Sequence, residues 1–301
     1  MGSEEEADAI FSVKDIKATS DVVKYNPEKH IINQFPYEAV LVMKHCLNDC
    51  LRTVYGQYPF IQESYYSYTH LPAFIGRFME REKKSQDNSW ILKPINAARS
   101  SDHIITNNLE WIIRHIETAP RLIQKYVHNP FTIEKKKIDI RLWVVVRSFS
   151  PLELYIHKYS YSRMATNDFD CHETNFMDWT KHFGLKDRDA GVYNLGFLQD
   201  KLIDEFNNAQ EDGWNKFEKR VHDIVKDVFK AAVLYKPEIH SEKSRACYGI
   251  DIIVDEDLNP FIMECTFQPE FAYICELFPD FLSQVTRCMM YGEEDNFYKL
   301  Y

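Results

Sequence analysis

The run KIDIRLWVVVRSF, Lys137 to Phe149, is the feature that most limits what this chain can fold into. Side chains alternate across a strand, so Ile138, Ile140 and Leu142 share one face while Asp139 and Arg141 share the other. A strand that reads as core on one side is therefore charged on the other, where a core would prefer apolar groups.

The closing segment GIDIIVDEDLNPFIMECTF, Gly249 to Phe267, poses the same problem again. It reads as two strands joined by DEDLNP. Parity places Glu264 and Thr266 on one face, with Met263 and Cys265 opposite and Asp251 on the neighbouring strand. Two acids on adjacent strands beside an arginine-bearing face suit Mg²⁺ between carboxylates and phosphates, because Mg²⁺ takes one or two carboxylates and completes its octahedron with phosphate oxygens and water. Spacing alone equally allows a buried acid–base pair, or acids at the wet end of a strand.

The 301 residues suffice for one large domain or two to three lobes. Hydrophobic residues at 45% with only 9 Gly and 12 Pro point to a folded globular chain without repeats. The acidic start MGSEEEADAI lacks the features of a signal sequence, and no apolar run approaches the roughly 18 residues of a membrane span. A cytoplasmic protein without membrane contact is expected. The seven cysteines, scattered and without C-x-x-C pairs, read as free thiols. A net charge of −10 argues against nucleic acid as a partner, and the short basic runs REKK and KKK read as solvated loops.

Periodicity predicts an α/β (α+β) chain with antiparallel sheets and flanking helices. EADAIFSV and KHIINQFP read as short strands, and EAVLVMKHCLNDCLRTVY as a helix. YSYTHLPAFIGRFMEREKKSQDN runs from a turn through a helix to a polar loop that suits a lobe boundary. SWILKPI and IIT are strands on either side of the loop NAARSSDH. Next comes a helix with Leu109, Ile112, Ile113 and Ile116 on one face and a capping-box-like start at Asn107 and Glu110. RLIQKYV, KIDIRLWVVVRSF and LYIHKYSYSRMA read as one antiparallel meander. A polar stretch to about residue 197 precedes the helix WNKFEKRVHDIVKDVFKAAVLY, whose core side carries Phe217, Val221, Ile224, Val225 and Val228.

An ordered series of motifs then narrows the reading. INQFP, LP, WILKP, QKYV, KIDIRLWVVV, YSR, GIDIIVDEDLNPFIMEC and the following Pro269 span nearly the whole chain. Together they resemble the tubulin–tyrosine ligase-like family, whose catalytic core is an ATP-grasp fold. The resemblance implies three lobes, at residues 1–88, 89–170 and 171–301, and a site for ATP and Mg²⁺. Gln124, Lys125, Tyr126 and Val127 would form the hinge that receives adenine, with Lys137 and Asp139 facing base and ribose. Lys44, Lys93, Arg141 and Arg163 match positions that hold phosphates, the two arginines at the reacting centre. Asp251 and Glu264 match the magnesium ligands, with Thr266 in the place of a third. The implied partner is tubulin or microtubules through the C-terminal tails, with the chain acting as a monomer, and a fragment of a longer protein is one expectation.

Departures from the family pattern matter as much. The glycine-bearing loop after the strand lysine is NAARSSDHI here, with Ser100 and Asp102 where glycines are expected, so Asp102 would bring negative charge near a triphosphate. E-V-N becomes ECT, and H-L-T-N becomes HFGL at His182 to Leu185. Two functions follow: an ATP-dependent ligase that joins an amino acid to a tubulin or other protein carboxylate through an acyl phosphate, or a ligase-like module that binds ATP and acts on or regulates tubulin-tail modification with weak or absent turnover. The departures favour the second.

Overall fold

The computed structural model describes residues 7–12, 26, 28–95, 102–187, 192–193 and 195–301. Two antiparallel sheets face each other across a cleft. The first contains Ser64–Tyr66 (β1), Trp90–Pro94 (β2), Ile104–Thr106 (β3) and Arg121–Lys125 (β4), paired in the order β1-β4-β2-β3. One face carries Tyr65, Trp90, Leu92, Ile104 and Ile123, which pack on Phe74 and Phe78 of the helix Ser67–Lys83 and Ile112 of the helix Leu109–Thr118. Alternation leaves Ile91, Lys93 and Gln124 for the other face, where they line the cleft.

The second sheet is built on Lys136–Phe149 (β5). With Leu152–His157 (β6), Tyr161–Met164 (β7), Leu195–Leu198 (β8), Ala246–Val254 (β9) and Pro260–Phe267 (β10), it runs β8-β7-β5-β9-β10, while β6 pairs with the second half of β5. The alternation read from sequence holds. Ile138, Ile140 and Leu142 enter a core shared with Ile250 and Ile252 of β9, with Val221, Ile224, Val225 and Val228 of the helix Gly213–Tyr235, and with Leu47, Cys50 and Leu51 of the helix Lys44–Tyr55.

Four expectations need correction. RLIQKYV does not join the meander: β4 is an inner strand of the first sheet, because its alternation serves the helices on one side and the cleft on the other. LYIHKYSYSRMA breaks into β6 and β7, which pair with successive parts of β5. Among the described residues, EADAIFSV and KHIINQFP contribute Ala9–Ile10 and Ile31–Ile32, paired with each other in parallel. The cap of the helix Leu109–Thr118 is Asn108, whose side chain accepts from the Trp111 N–H at 3.0 Å, while the Asn107 amide bonds Glu173. The first sheet draws on both sides of residue 88, since β1 pairs with β4.

Beyond the strands, sequence periodicity left unread the helices Ala272–Leu277 and Phe281–Tyr291. Ile274, Phe281, Val285 and Cys288 cover Trp143 and Val145 on the opposite face of β5. All seven cysteines are free, and no helix among the described residues is long and apolar enough to cross a membrane.

Candidate functional site

Strand register assembles the charged face. Arg163 lies opposite Asp139 between β7 and β5, Arg141 opposite Asp251 between β5 and β9, and Asp251 opposite Glu264 between β9 and β10. Cross-strand neighbours on one face stand close enough to interact, so each arginine meets an acid, while Asp251 and Glu264 face each other as like charges. Arg141 holds Asp251 through two hydrogen bonds, Nη2 to Oδ2 at 2.9 Å and Nε to Oδ1. Arg163 bridges Asp139 and Asp251, the latter at 2.8 Å. Lys44, in the first turn of its helix, reaches Glu264 at 2.7 Å. Burial pushes the Asp251 carboxyl up, but Arg141 and Arg163 outweigh it and hold it below the usual carboxylate range. Burial, with the Asp251 charge, leaves Asp139 raised despite Arg163.

The cleft is lined by eleven of the thirteen residues singled out from sequence: Lys44, Lys93, Gln124, Lys125, Tyr126, Val127, Lys137, Asp139, Arg163, Asp251 and Glu264. The other two stand outside its lining. Arg141 supports Asp251, and Thr266, half-buried opposite Gly249, lies two residues beyond Glu264. Met263 does reach the cleft, contrary to the parity reading. The register between β9 and β10 slips there, from Asp251 opposite Glu264 to Ile252 opposite Ile262, and the bulge carries Met263 to the same side as Glu264.

Two lysines stand apart from the ion pairs. Lys93 is 3% exposed and donates to Gln124 Oε1 at 2.6 Å; Lys137 is 7% exposed and donates to the Tyr126 hydroxyl at 2.8 Å. Neither meets a carboxylate within ion-pair distance among the described residues. Burial, together with Lys44, brings the Lys93 ammonium down to about 8. Burial also brings Lys137 down to about 7, with Asp139 opposing and Lys93 adding to the effect. Lys125 is paired to Asp87; around the cleft, Lys44, Lys93, Lys137, Arg141 and Arg163 outnumber Asp139, Asp251 and Glu264 by two. Such a surplus, held out of water, favours a bound polyanion.

The hinge is partly spent on structure. Gln124 is tied at both ends of its amide, to Lys93 and, at 2.9 Å, to Ser64 Oγ. The Lys125 ammonium turns to Asp87 and the Ser89 carbonyl. By contrast, the Val127 N–H and C=O carry no hydrogen bond among the described residues.

Ser100 lies outside the described residues. Asp102 has φ near 57°, the left-handed conformation in which a glycine is at home, and its carboxylate binds Arg121 at 2.5 Å. Its charge is therefore answered by Arg121, and it is not part of the cleft lining.

The HFGL segment fits by shrinking. A Cβ on Gly184 would stand 2.7 Å from Arg163 Cβ and 3.1 Å from the Met164 nitrogen, so a threonine there has no room. Phe183 and Leu185 line the cleft on either side of it. Gly184→Thr is expected to cost about 1–3 kcal/mol in urea unfolding, the usual range for overpacking, without restoring a polar side chain to the site. An unchanged unfolding midpoint would refute this tight approach.

A profile of the tubulin-tyrosine ligase family matches residues 23–292. The chain belongs to the tubulin-tyrosine ligase family. It is similar to tubulin–tyrosine ligase-like protein 12 of Mus musculus, 30% identical over 98% of this chain and 48% of the relative. The Homo sapiens protein of that name is 30% identical over 94% of this chain and 46% of the relative. Tubulin glycylase 3D of Tetrahymena thermophila is 27% identical over 67% of this chain and 20% of the relative. The chain thus spans about half the length of the first two.

The tubulin-tyrosine ligase family is an ATP-grasp-like ligase family that generally uses ATP and Mg²⁺. The donor set here fits the nucleotide first and the metal with it. No group of three or more acidic, histidine or cysteine side chains is placed to hold an ion among the described residues. Asp251 and Glu264 would meet Mg²⁺ arriving on phosphate oxygens, the arrangement Mg²⁺ prefers.

Proposed function

We propose that this tubulin-tyrosine ligase family chain binds ATP with Mg²⁺ in the cleft between its sheets and influences tubulin-tail modification in the cytoplasm with weak or absent ligation of its own. The observation that carries the nucleotide half is the pair of buried ammonium groups, Lys93 and Lys137, without carboxylate partners. Phosphoryl transfer asks a protein chiefly to neutralise and align charge. In this reading Lys93 and Arg163 receive phosphates, Arg141 keeps Asp251 ionised and fixed, and Asp251 and Glu264 take Mg²⁺ on the nucleotide.

Gly184 supports impaired ligation. The polar pair expected at the reacting end is replaced by Gly184 and Leu185, and the backbone has closed on Arg163 where a side chain would stand. Misalignment of reacting groups by about 1 Å costs rate steeply. Net charge of −10 also works against long-range attraction to an acidic tail. A second reading, an active ligase joining an amino acid to a carboxylate, draws on the retained Lys93, Arg163, Asp251 and Glu264. The names of the relatives supply tubulin as partner for either.

Mass spectrometry of tubulin incubated with the purified chain, Mg-ATP and mixed amino acids separates the two. The proposal expects ATP binding and no mass addition. A defined added mass, lost with Asp251→Asn, would establish the ligase instead.

A further inference from the structure

Tyr126, Lys137 and His182 form a buried chain of hydrogen bonds that charge neutralisation does not account for. A carbonyl only accepts, so the His182 Nε2–H donates to the Asn175 carbonyl at 3.0 Å, and Nδ1 of the neutral ring is left to accept. The Tyr126 hydroxyl therefore donates to Nδ1, at 2.9 Å, and its oxygen accepts from the Lys137 ammonium at 2.8 Å. Every link has one direction. The ammonium also stands 4.5 Å from the centroid of the Tyr126 ring and 6.0 Å from that of Phe183. Burial holds His182 neutral, bringing it down to about 4, with the Lys137 charge adding to the effect.

Lys137 thus has one N–H committed to Tyr126 and two with no acceptor among the described residues. The charged and titratable groups around it are Asp139, Lys93 and Cys171. Around His182 they are Lys137, Asp178 and Lys181. Ile91, Val127, Ile262, Met263 and Leu185 make nearby cleft lining apolar, and Val127 adds an uncommitted main-chain donor and acceptor. An apolar slot with a few convergent donors and an acceptor suits a flat nitrogen heterocycle.

We propose that His182 is a positioning residue for the nucleobase: by fixing the Tyr126 hydroxyl it holds Lys137 so that a remaining N–H meets a ring-nitrogen acceptor of a purine. This rests on the nucleotide reading above. The side chain of His182 touches no ligand in this scheme; it acts through Tyr126.

The test uses calorimetry on the full chain with two probes, ATP and inorganic triphosphate. Asparagine places an oxygen close to where Nδ1 stands, so His182→Asn keeps the acceptor for Tyr126. Glutamine carries its amide out toward Nε2, so His182→Gln keeps the donor to Asn175 and loses that acceptor. His182→Gln and Tyr126→Phe are each expected to weaken ATP about tenfold, to leave inorganic triphosphate within about twofold, and to move the pH at which ATP affinity falls to a lower value; His182→Asn retains both affinity and pH profile. Tyr126→Phe carries the test if His182→Gln does not fold. Equal losses for both probes, or an asparagine variant as weak as the glutamine variant, would overturn the assignment while leaving the nucleotide site standing. An unmodified chain that binds inorganic triphosphate no more weakly than ATP would also overturn it. If the unmodified chain bound neither probe, the nucleotide reading itself would fall, and this assignment with it.

Discussion

Replacing Asp251 with alanine is expected to lower the free energy of unfolding by about 3–5 kcal/mol, the range for removing one partner from a buried ion pair. Asp251 is 1% exposed and pairs with both Arg141 and Arg163, at 6% and 7%. Its removal leaves two guanidinium groups facing each other, with Asp139 still paired to Arg163. Lys44→Met offers the contrast. The Lys44–Glu264 pair is partly open to water, with 29% of the Glu264 side chain exposed, so losing it is expected to cost at most about 1 kcal/mol. Urea unfolding of both variants checks the pair of values. Equal costs would show that the network is not anchored on Asp251.

The contribution of Lys93 and Lys137 to the stability of the ligand-free chain is expected to rise between about pH 7 and 8.5 while affinity for ATP falls. Burial brings Lys137 to about 7 and Lys93 to about 8 in the folded chain. Unfolded, each returns to the ordinary lysine value of about 10.4, so across this window these two sites bind more protons in the unfolded chain and their share of the stability increases with pH. The slope approaches about 1.4 kcal/mol per pH unit for each lysine once it has lost its proton in the folded state. Bound ATP favours both ammonium groups, through its phosphates at Lys93 and its base at Lys137, so binding takes up protons, and affinity drops by up to about tenfold per pH unit for each lysine above its folded value. Lys137→Met should reduce both slopes by one lysine's share. Unfolding and binding curves at half-unit pH steps read this, and a variant with both slopes unchanged would contradict it.

Much of this site could be seen in the sequence because strand parity is local. The apolar face of Ile138, Ile140 and Leu142 and the charged face of Asp139 and Arg141 follow from alternation, and both hold. Partners set by long-range register were out of reach. That Arg141 would be committed to Asp251 depends on how β5 meets β9, and Met263 reaches the cleft only because a bulge interrupts β10. Arg121–Lys125 reads as a strand, but its period does not say which sheet receives it. His182 was visible only as part of a departed motif. Its role requires Asn175, Tyr126 and Lys137 to converge, and no pattern in any one segment encodes that meeting.

The most direct test of the central claim is calorimetric titration of the full chain with ATP, in the presence and absence of Mg²⁺. The excess of basic over acidic groups around the cleft predicts measurable binding without metal, tightened several-fold when Mg²⁺ accompanies the nucleotide to Asp251 and Glu264. Absence of binding at millimolar ATP under both conditions would contradict it.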